Sequence, residues 1–472
     1  MTKFEDTTMA LGRRNEERQG ELWVATHVLP ISPGHVFYEK LNGLLAEAGF
    51  DTWVEELCEP YYAKRGRPSI PPGVYFRMLL TGYFEGIGSQ RGIAWRCSDS
   101  LSLRKFLGVA QAEESPDHSS LSIIRERLPE EVHQAVFVWV LTLAREKKVL
   151  DGKTLAVDST TLEANAAMKS IVRRDTGDDW QAYVAGLMRE AGKLGPEETP
   201  RVEELIRFDK SRKNKQVSNE DWESPNDPDS RIARMKDGTT HLAYKAEHAV
   251  DLATEMIVAA EIYHADRGDT HTLEDTVQTA QANLQESGSD VQVQDVVTDK
   301  GYHSGDTVET LAEETPYRTY ISEPQLPAGR QHTWTDKSPE QRDAVYANRR
   351  RTRGVRGKRL QRQRSERVER TFAHVCETGG ARRTWLCGIG KVAKRYLMAA
   401  VAHNLGRLMR ELFGMGTPRG LQQFVTDLEG ALHALQLALF ANLTRRKPVW
   451  ACTLPLQYIT TANTFPTLTA AG

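Results

Sequence analysis

Five short apolar runs between residues 153 and 321 restrict the fold of this chain more than any other feature. They are bounded by turn residues and are typical of strands. They cover Lys153–Asp158, 242–250, Met256–Tyr263, Val291–Thr298 and Tyr317–Ile321. The second and third runs are close enough in sequence to form a hairpin, and helices predicted at Thr270–Gln285 and Asp306–Glu313 separate the later runs. This order indicates a mixed α/β sheet with helices on its faces.

The length of the chain predicts more than one structural unit, because 472 residues exceed the ~100–200 residues of a typical domain. Helical spacing of apolar residues predicts an all-helical N-terminal domain at residues 1–145. The sheet then belongs to a domain at residues 146–410, which a polar insertion interrupts at about 170–235. A C-terminal helix at Phe424–Leu443 and a tail make up residues 411–472.

Composition excludes several classes of protein. The five cysteines show no paired CxxC spacing, so neither a zinc ribbon nor a disulfide framework is expected. No stretch of about 18 uncharged apolar residues occurs, so the sequence does not predict a membrane protein. We expect a soluble protein of a reducing compartment, the cytoplasm. The net charge of −2 at pH 7 decides nothing about partners, because the charges are distributed unevenly.

A block of positive charge at residues 349–370 indicates a polyanionic partner. It contains ten arginines and one lysine but only two glutamates. Cations at this density repel one another unless a polyanion lies nearby, and arginine suits phosphate because it can donate two parallel hydrogen bonds. DNA phosphates are therefore the natural partner. The candidates for phosphate contact, in this block and the following helix, are Arg362, Arg364, Arg367, Arg370, Lys391, Lys394 and Arg395.

Three carboxylates stand in separate sequence settings that suit metal binding. Asp158 ends an apolar run in KTLAVDSTT, and Asp299 ends another in DVVTDKGYHS. Glu369 lies in SERVERTFAHV, a helical pattern flanked by arginines. Two Asp and one Glu brought together by folding can hold two divalent metal ions that activate a water, and then a sugar hydroxyl, against a phosphodiester. Glu366 lies about one turn before Glu369 and is the alternative third ligand.

These carboxylates also have ordinary structural interpretations. Thr160 and Glu163 fit a helix capping box directly after Asp158. Glu369 fits an i, i+4 charge pattern on a solvated helix, which is the usual meaning of interleaved Arg and Glu.

A second cluster has residue types that bind transition metals. It lies in the segment HADRGDTH and consists of His264, Asp266, Asp269 and His271. The loop-like context favours a strand-to-helix connection with Asp269 or Thr270 as N-cap. Two aromatic residues, Tyr302 and Trp385, suit either stacking on an unpaired base or ordinary packing.

Four ordered motifs together resemble the DDE transposases of bacterial insertion sequences, in the group with a split ribonuclease-H-like catalytic domain. GRPSIPPGVYFRMLLTGYFEGIGSQR is similar to the N-terminal helical domain of these proteins, VDSTTLEANA to the strand of the first Asp, and VTDKGYHS to the second-Asp motif. VERTFAHV, GGARRTWLCG and KRYLMAAVAHNLGRLMR are similar to the C-terminal Glu region. The resemblance implies a ribonuclease-H-like mixed sheet with flanking helices and an insertion, preceded by the helical domain.

The resemblance implies a DNA transposase that cleaves the ends of an insertion sequence and joins them to target DNA. It implies Asp158, Asp299 and Glu369 as ligands of two Mg²⁺ or Mn²⁺ ions, with Asp158 bridging both. The partner is then double-stranded DNA, at the terminal repeats and at the target, and the N-terminal helices help to recognise the repeats. We expect the active complex to be a homodimer in the bacterial cytoplasm, associated with the nucleoid when bound to DNA.

The chain departs from the family pattern around the third carboxylate. Many relatives carry a tyrosine seven positions and an arginine four positions before the Glu, and a lysine seven positions after it. Counted from Glu369, the residues at these positions are Arg362, Ser365 and Cys376; counted from Glu366, they are Arg359, Arg362 and Ala373. Two other functions stay open: a structure-selective nuclease that cleaves without joining, and a non-catalytic DNA-binding protein derived from a transposase.

Overall fold

The sheet predicted by the apolar runs lies at the centre of the computed structural model, which describes residues 35–66, 69–213, 218–235, 238–325, 334 and 337–419. Strand β1 (Thr154–Glu163) pairs antiparallel with β5 (Thr240–Asp251), and β5 pairs antiparallel with β6 (Ile257–His264). β1 also pairs in parallel with β7 (Asp295–Thr298), which pairs in parallel with β8 (Arg318–Ile321). A short strand, β4 (Arg231–Arg234), pairs with the first residues of β5. This arrangement confirms the ribonuclease-H-like mixed sheet.

Seven helices precede β1 in the described part of the chain. They are α1 (Val36–Glu47), α2 (Phe50–Cys58), α3 (Pro72–Glu85), α4 (Gln90–Asp99), α5 (Leu101–Leu107), α6 (His118–Arg127) and α7 (Glu130–Glu146). Pro72 occupies the first turn of α3, where its missing N–H leaves no hydrogen bond unmade. Asp117 caps α6 by accepting the Ser119 N–H at 2.9 Å. Aromatic side chains such as Phe37, Phe76 and Phe137 are fully buried in this helical region.

Five helices follow the hairpin of β5 and β6. They are α10 (Asp269–Glu286), α11 (Gly305–Glu314), α12 (Pro339–Arg353), α13 (Val355–Phe372) and α14 (Ile389–Phe413). Successive residues of a strand point to opposite faces of the sheet. Glu247 of β5 bonds to Thr272 of α10, whereas the next residue, His248, bonds to Thr371 of α13 and Tyr396 of α14. One face of the sheet is therefore covered by α10, and the other by α13 and α14.

The predicted insertion lies between β1 and β4. It contains α8 (Trp180–Glu190) and α9 (Val202–Ser211), together with a small pair of strands, β2 (Val172–Arg173) and β3 (Trp222–Glu223). Its helices pack on each other through a separate cluster formed by Val184, Ala185, Met188 and Leu205. The insertion therefore has an apolar core of its own.

Several local predictions were wrong. The capping box at Thr160 and Glu163, the ordinary alternative to metal binding by Asp158, does not form, because β1 continues through Glu163 in register with β5. The fourth strand begins at Asp295 instead of Val291. Gly268 is the N-cap of α10, in place of Asp269 or Thr270. The predicted helix at Phe424–Leu443 lies outside the described residues.

The basic block forms a helical corner. The helices α12 and α13 meet at Gly354, and a Cβ atom added at Gly357 would collide with the carbonyl oxygens of Arg351 and Thr352. Glycine is therefore required where α13 approaches the end of α12. None of the described helices has the length and apolar character needed to cross a membrane.

Candidate active site

Asp158 lies within β1, and Asp299 directly follows the neighbouring strand β7. β1 and β7 are parallel, with Ala156 opposite Val297. Continuing this register by two residues brings Asp158 opposite Asp299, on strands that are ~4.8 Å apart in a regular sheet. The structure therefore brings the first two predicted ligands together at the carboxyl end of β7.

The carboxylate of Asp158 is held by a cation and a backbone amide. Arg364 of α13 donates from Nη1 to Asp158 Oδ2 at 2.7 Å, and the Ser159 N–H donates to Oδ1 at 2.8 Å. The side chains of Arg364 and Asp158 are only 13% and 22% exposed, which strengthens their ion pair relative to one in bulk water. Arg364 is predicted above as a phosphate contact; in the structure it neutralises the first carboxylate of the site.

A further carboxylate, that of Asp269 at the start of α10, lies near Asp299. Asp299 Oδ1 accepts the Gly301 N–H at 2.8 Å, which fixes the turn after β7. A Cβ added at Gly301 would lie 2.8 Å from Asp269 Oδ2 and 3.1 Å from Asp299 Oδ1, so both carboxylates border the space beside this glycine. Ser159 Oγ donates to Asp269 Oδ1 at 2.9 Å. Asp269 is thus tied to the residue that follows Asp158.

A buried network of charges lies behind these carboxylates. Lys245 Nζ is 2.7 Å from Asp269 Oδ1 and 3.0 Å from Glu247 Oε2. Glu247 is fully buried and accepts hydrogen bonds from three hydroxyls, those of Thr272 at 2.8 Å, Thr276 at 2.7 Å and Tyr302 at 3.0 Å. Buried charges are stable in a protein when they are paired and hydrogen-bonded in this way.

Sequence reasoning missed Lys245 and Glu247. The sequence does contain a pattern that could have indicated them: two charged residues at alternate positions of a strand whose other side chains are largely apolar. It also left Tyr302 open between stacking and packing, and the structure shows that this residue is fully buried. Burial raises the pKa of Tyr302 well above its usual range, and the carboxylates of Glu247, Asp269 and Asp158 raise it further. The phenol therefore stays protonated and donates to Glu247.

The opposite face of the sheet carries a neutral cluster. His248 stacks on Phe372 with ring centroids 4.1 Å apart, and its ring nitrogens bond to the hydroxyls of Thr371 at 3.1 Å and Tyr396 at 2.9 Å. Burial lowers the pKa of His248 well below its ordinary value. The imidazole is therefore neutral at physiological pH. This cluster anchors α13 so that Arg364 reaches Asp158.

The predicted third ligand is placed differently from the two aspartates. Glu369 is exposed on α13 and accepts a hydrogen bond from Ser365 Oγ at 3.4 Å. Glu366 is also exposed and pairs with Arg370 at 2.6 Å. Within the described ranges, no group of three or more His, Cys, Asp or Glu side chains is placed to hold a metal ion. The structure thus does not gather Glu369 or Glu366 with the aspartates, and the choice of third ligand stays a prediction.

Two family models match the chain. A model described as a transposase domain (DUF772) matches residues 29–127, and a model described as a transposase DDE domain matches residues 205–405. This chain belongs to the DDE transposases. No curated protein and no solved structure matches it. The second match contains Asp299 and Glu369 and begins after Asp158, so the register between β1 and β7 is the observation that adds Asp158 to the site.

The oxygen donors around the carboxyl end of β7 in this DDE transposase suit a hard divalent cation. Asp158, Asp269 and Asp299 present carboxylate oxygens, which are the ligands that Mg²⁺ and Mn²⁺ prefer. Arg364 already provides one positive charge to Asp158, as expected for a carboxylate whose negative charge requires compensation. The residues present therefore fit a divalent metal, on which the DDE transposase family generally depends.

Six of the seven predicted phosphate contacts are engaged within the chain. Arg364 pairs with Asp158, Arg370 pairs with Glu255 at 2.7 Å as well as with Glu366, and Lys391 pairs with Glu126 at 2.9 Å. Arg367, Lys394 and Arg395 donate to backbone carbonyl oxygens. Among the seven, Arg362 alone is exposed. The repulsion expected within the basic block is thus partly relieved by carboxylates of the same chain.

The HADRGDTH segment forms a strand end and a helix start, as favoured from the sequence. His264 Nδ1 hydrogen-bonds to the carbonyl oxygen of Asp229 at 2.8 Å, and Asp266 pairs with Arg231 at 3.5 Å. Its other histidine, His271, is exposed. Of the four residues, the structure connects only Asp269 to the candidate active site through its described contacts.

Proposed function

We propose that this DDE transposase cleaves DNA at the ends of an insertion sequence and joins each freed end to target DNA. In the first reaction, water attacks the phosphodiester at the end of the element, and the 3′ oxygen leaves to give a free 3′ hydroxyl. In the second, this hydroxyl attacks a target phosphodiester, so that one phosphodiester forms as another breaks. Both reactions are displacements at phosphorus and require no oxidant or reductant.

The observation that carries the proposal is the position of Asp158 beside Asp299. They come from distant parts of the sequence and end up level on parallel neighbours, β1 and β7. We infer that Asp158 and Asp299, with Glu369 as the third ligand, would hold two divalent ions, Mg²⁺ or Mn²⁺. Once bound, such ions lower the pKa of a coordinated water and stabilise charge on the phosphate.

In this proposal the other residues of the site position these carboxylates. Arg364 neutralises Asp158 until a cation binds, and Lys245 holds Asp269 beside the Gly301 turn. Glu369 would have to turn from its exposed position on α13 to reach the aspartates. The intervening contact is a single hydrogen bond of 3.4 Å from Ser365, which is easily exchanged.

The exposed part of the basic block, at residues 349–370, is the proposed DNA surface. Arg362, one of the seven predicted phosphate contacts, lies there on the exposed side of α13. Other exposed cations of α12 and α13 extend the surface; they are Arg350, Arg353, Lys358 and Arg359. Contacts from such residues to phosphate position a protein on DNA without reading its sequence. We assign recognition of the terminal repeats to the N-terminal helices, and we propose a homodimer that holds two DNA ends in the bacterial cytoplasm.

The experiment is metal-dependent cleavage and joining of labelled DNA that carries the ends of the element. We expect Asp158→Asn and Asp299→Asn to lose both reactions by about a hundredfold to a thousandfold, as is usual when charge stabilisation at a reacting centre is removed. Glu369→Gln should lose as much, and Glu366→Gln should retain activity. Asp343→Asn is the matched control, because Asp343 is an exposed carboxylate on α12, 76% accessible at its side chain.

Other outcomes would replace the proposal. Cleavage without joined product, even from a pre-cleaved end, would make the protein a structure-selective nuclease. Binding of the ends with no product in any metal would make it a non-catalytic DNA-binding protein. Loss of activity in Glu366→Gln but not in Glu369→Gln would move the third ligand to Glu366.

A further inference from the structure

A deep pocket lies between the N-terminal helices and α14, outside the carboxylate site. Its cavity volume is about 320 Å³, within the ~300–1,000 Å³ typical of small-molecule sites. It is lined by α3, α4 and α6 on one side and by the 379–386 segment and α14 on the other. Both family-model matches therefore contribute to it. We call it the junction pocket.

The junction pocket is strongly cationic. Arg91, Arg125, Lys394 and Arg395 line it, together with His118, whereas Asp and Glu are missing from the lining that the structure describes. Two of these cations are held by neutral carbonyl groups: Lys394 donates to the Arg125 oxygen at 3.1 Å, and Arg395 donates to the Gly380 oxygen at 2.9 Å. These contacts leave their positive charge uncompensated.

Two buried donors in the pocket wall have no hydrogen-bond partner among the described residues. They are Arg125 Nε and Gln90 Nε2. Gln90 also begins α4, whose N-cap is Ser89 and whose first N–H groups lie at the same wall. A helix N-terminus favours an anion. Burial and the neighbouring Arg125 lower the pKa of Arg395 to about 10, which is consistent with crowded positive charge.

Three carboxylates lie near these cations without lining the cavity, and one of them, Asp117, pairs with His118 of the lining at 2.9 Å. Glu126 pairs with Lys391 at 2.9 Å, and the pKa of Glu126 is lowered chiefly by that hydrogen bond, with smaller contributions from Arg125 and Lys394. The charge of Lys394 also acts to lower the pKa of Glu130, although burial raises that pKa overall. Neither glutamate lines the cavity. An anion inside the pocket therefore meets net positive charge.

The remaining walls are aromatic and apolar. Tyr75, Tyr83 and Trp385 line the pocket beside Ile87 and Met398. Trp385 is 52% exposed, and the Arg383 guanidinium lies 4.9 Å from its ring centroid. The indole is held close to the backbone of α3–α4, since a Cβ on Gly88 would lie 3.2 Å from Trp385 Nε1. Trp385 therefore offers a partly exposed aromatic surface on which a planar base could stack.

We propose that the junction pocket binds one unstacked nucleotide of a DNA strand, with its base on Trp385 and its phosphate at Arg125, Lys394 and the start of α4. An anion alone would not need the aromatic wall, and an apolar ligand would not need four cations. Stacking of a base on an aromatic side chain and phosphate contact by cations are the two interactions that hold single-stranded nucleic acid. This inference rests on the proposed function in taking DNA as the substrate.

The test is a fluorescence titration of the full chain with a short single-stranded oligonucleotide that contains 2-aminopurine. We expect the fluorescence to be quenched on binding, and Trp385→Leu to abolish the quenching and weaken binding about tenfold or more. Arg125→Met should weaken binding similarly. Trp385→Phe should retain most of the affinity, which guards against a merely misfolded variant. Trp95→Leu is the matched control, because Trp95 is 77% exposed on α4 and does not line the pocket.

The outcomes separate this inference from the proposed function. Equal affinity of Trp385→Leu and wild type for the oligonucleotide overturns the pocket proposal, whatever the cleavage assay shows. Equal binding of an abasic oligonucleotide, with displacement by inorganic phosphate, makes the site an anion pocket and also overturns it. Trp385-dependent binding by a protein that never cleaves DNA would sink the proposed function and leave the pocket assignment standing.

Discussion

The two faces of the central sheet accommodate buried polar side chains in opposite ways. On the α10 face, Glu247 and Lys245 are charged and paired with each other, and hydroxyls complete their hydrogen bonds. On the face of α13 and α14, His248 is kept neutral by burial and bonds to the hydroxyls of Thr371 and Tyr396. Both arrangements support the sheet around Asp158, which lies within β1, and Asp299, which directly follows β7.

The difference shows which face holds charge close to the carboxylates. Lys245 extends the charged network to Asp269, whereas the opposite face contributes one cation, Arg364, to Asp158. The α10 face therefore depends on pairing within a dry region, and the other face depends on a neutral histidine. The two should respond differently to the loss of one partner and to pH.

The largest effect on stability should come from breaking the charge pair of the α10 face. Lys245→Met leaves Glu247 buried without its cation, and removal of one partner from a buried pair costs roughly 3–5 kcal/mol. We expect urea denaturation to show a loss of that size in the free energy of unfolding. Lys153→Met removes an exposed pair with Asp151 and should cost about 0–1 kcal/mol.

A double variant sharpens this prediction. Lys245→Met combined with Glu247→Gln removes both charges, so it should cost less than Lys245→Met alone. A double variant that is less stable than the single variant by the full cost of Glu247→Gln would show that the two residues are not coupled.

The second effect concerns a like-charge neighbour on the same face. Glu261 of β6 stands opposite Glu247. Burial, together with the smaller effects of the charges of Glu130, Glu247 and Asp275, raises its pKa to about 7. A raised carboxyl pKa means that the folded protein holds a proton that the unfolded chain releases, so stability falls as pH rises from about 4.5 through about 7.

Glu261→Gln should remove this pH dependence. We expect the variant to gain about 2–3 kcal/mol over wild type on going from pH 5 to pH 8, as follows from ~1.4 kcal/mol per pKa unit. Denaturation curves at the two pH values measure the gain. Glu340→Gln, at an exposed position of α12, should show none. Identical pH dependence in Glu261→Gln and wild type would contradict the assigned environment.

The smallest effect on stability should come from the face of α13 and α14. Here stability should fall as the pH falls, opposite to the dependence expected from Glu261. The pKa of His248 lies well below its ordinary value, and burial lowers that of His403 on α14 to about 3. The unfolded chain binds protons at these histidines below about pH 6.5 while the folded protein does not, so stability falls with falling pH. Each histidine should contribute about 1 kcal/mol of loss between pH 6.5 and pH 5.5.

His248→Gln tests this contribution through its pH dependence instead of its absolute stability. Its unfolding free energy should fall by about 1 kcal/mol less than that of wild type over the same interval. His271→Gln is the control, because His271 is exposed on α10. An unchanged pH dependence in His248→Gln would contradict this, because it would mean that the imidazole takes up a proton in the folded protein as readily as in the unfolded chain.

Much of the sheet and part of the site could be predicted from the sequence. The apolar runs predicted strands correctly because the five strands that they cover are largely buried. The aspartates at the ends of two runs were then expected near the same edge of the sheet. Lys245 and Glu247 could not be predicted as a pair, since their partner Asp269 lies on a helix that only the fold brings near. The capping box at Thr160 was mistaken because pairing of β1 with β5 overrides local turn chemistry.

The basic block could likewise be predicted only in part from the sequence. Its composition predicted a phosphate-binding surface, but it could not show which arginines would be taken by carboxylates of the same chain. Arg364 and Arg370 are paired with Asp158 and Glu255, whose positions depend on tertiary packing. Within the block, exposure in the fold, as at Arg362, is what distinguishes an arginine left free of such pairs.

The most direct test of the central claim, that Asp158 and Asp299 hold the catalytic metal together, is a metal-rescue measurement. Asp158→Cys and Asp299→Cys replace a hard oxygen ligand by a soft sulfur ligand. We predict that both variants lose cleavage of the element ends in Mg²⁺ and recover part of it in Mn²⁺ or Cd²⁺, whereas Asp158→Ala and Asp299→Ala recover none. Cleavage by either alanine variant in Mg²⁺ at the wild-type rate would contradict the account.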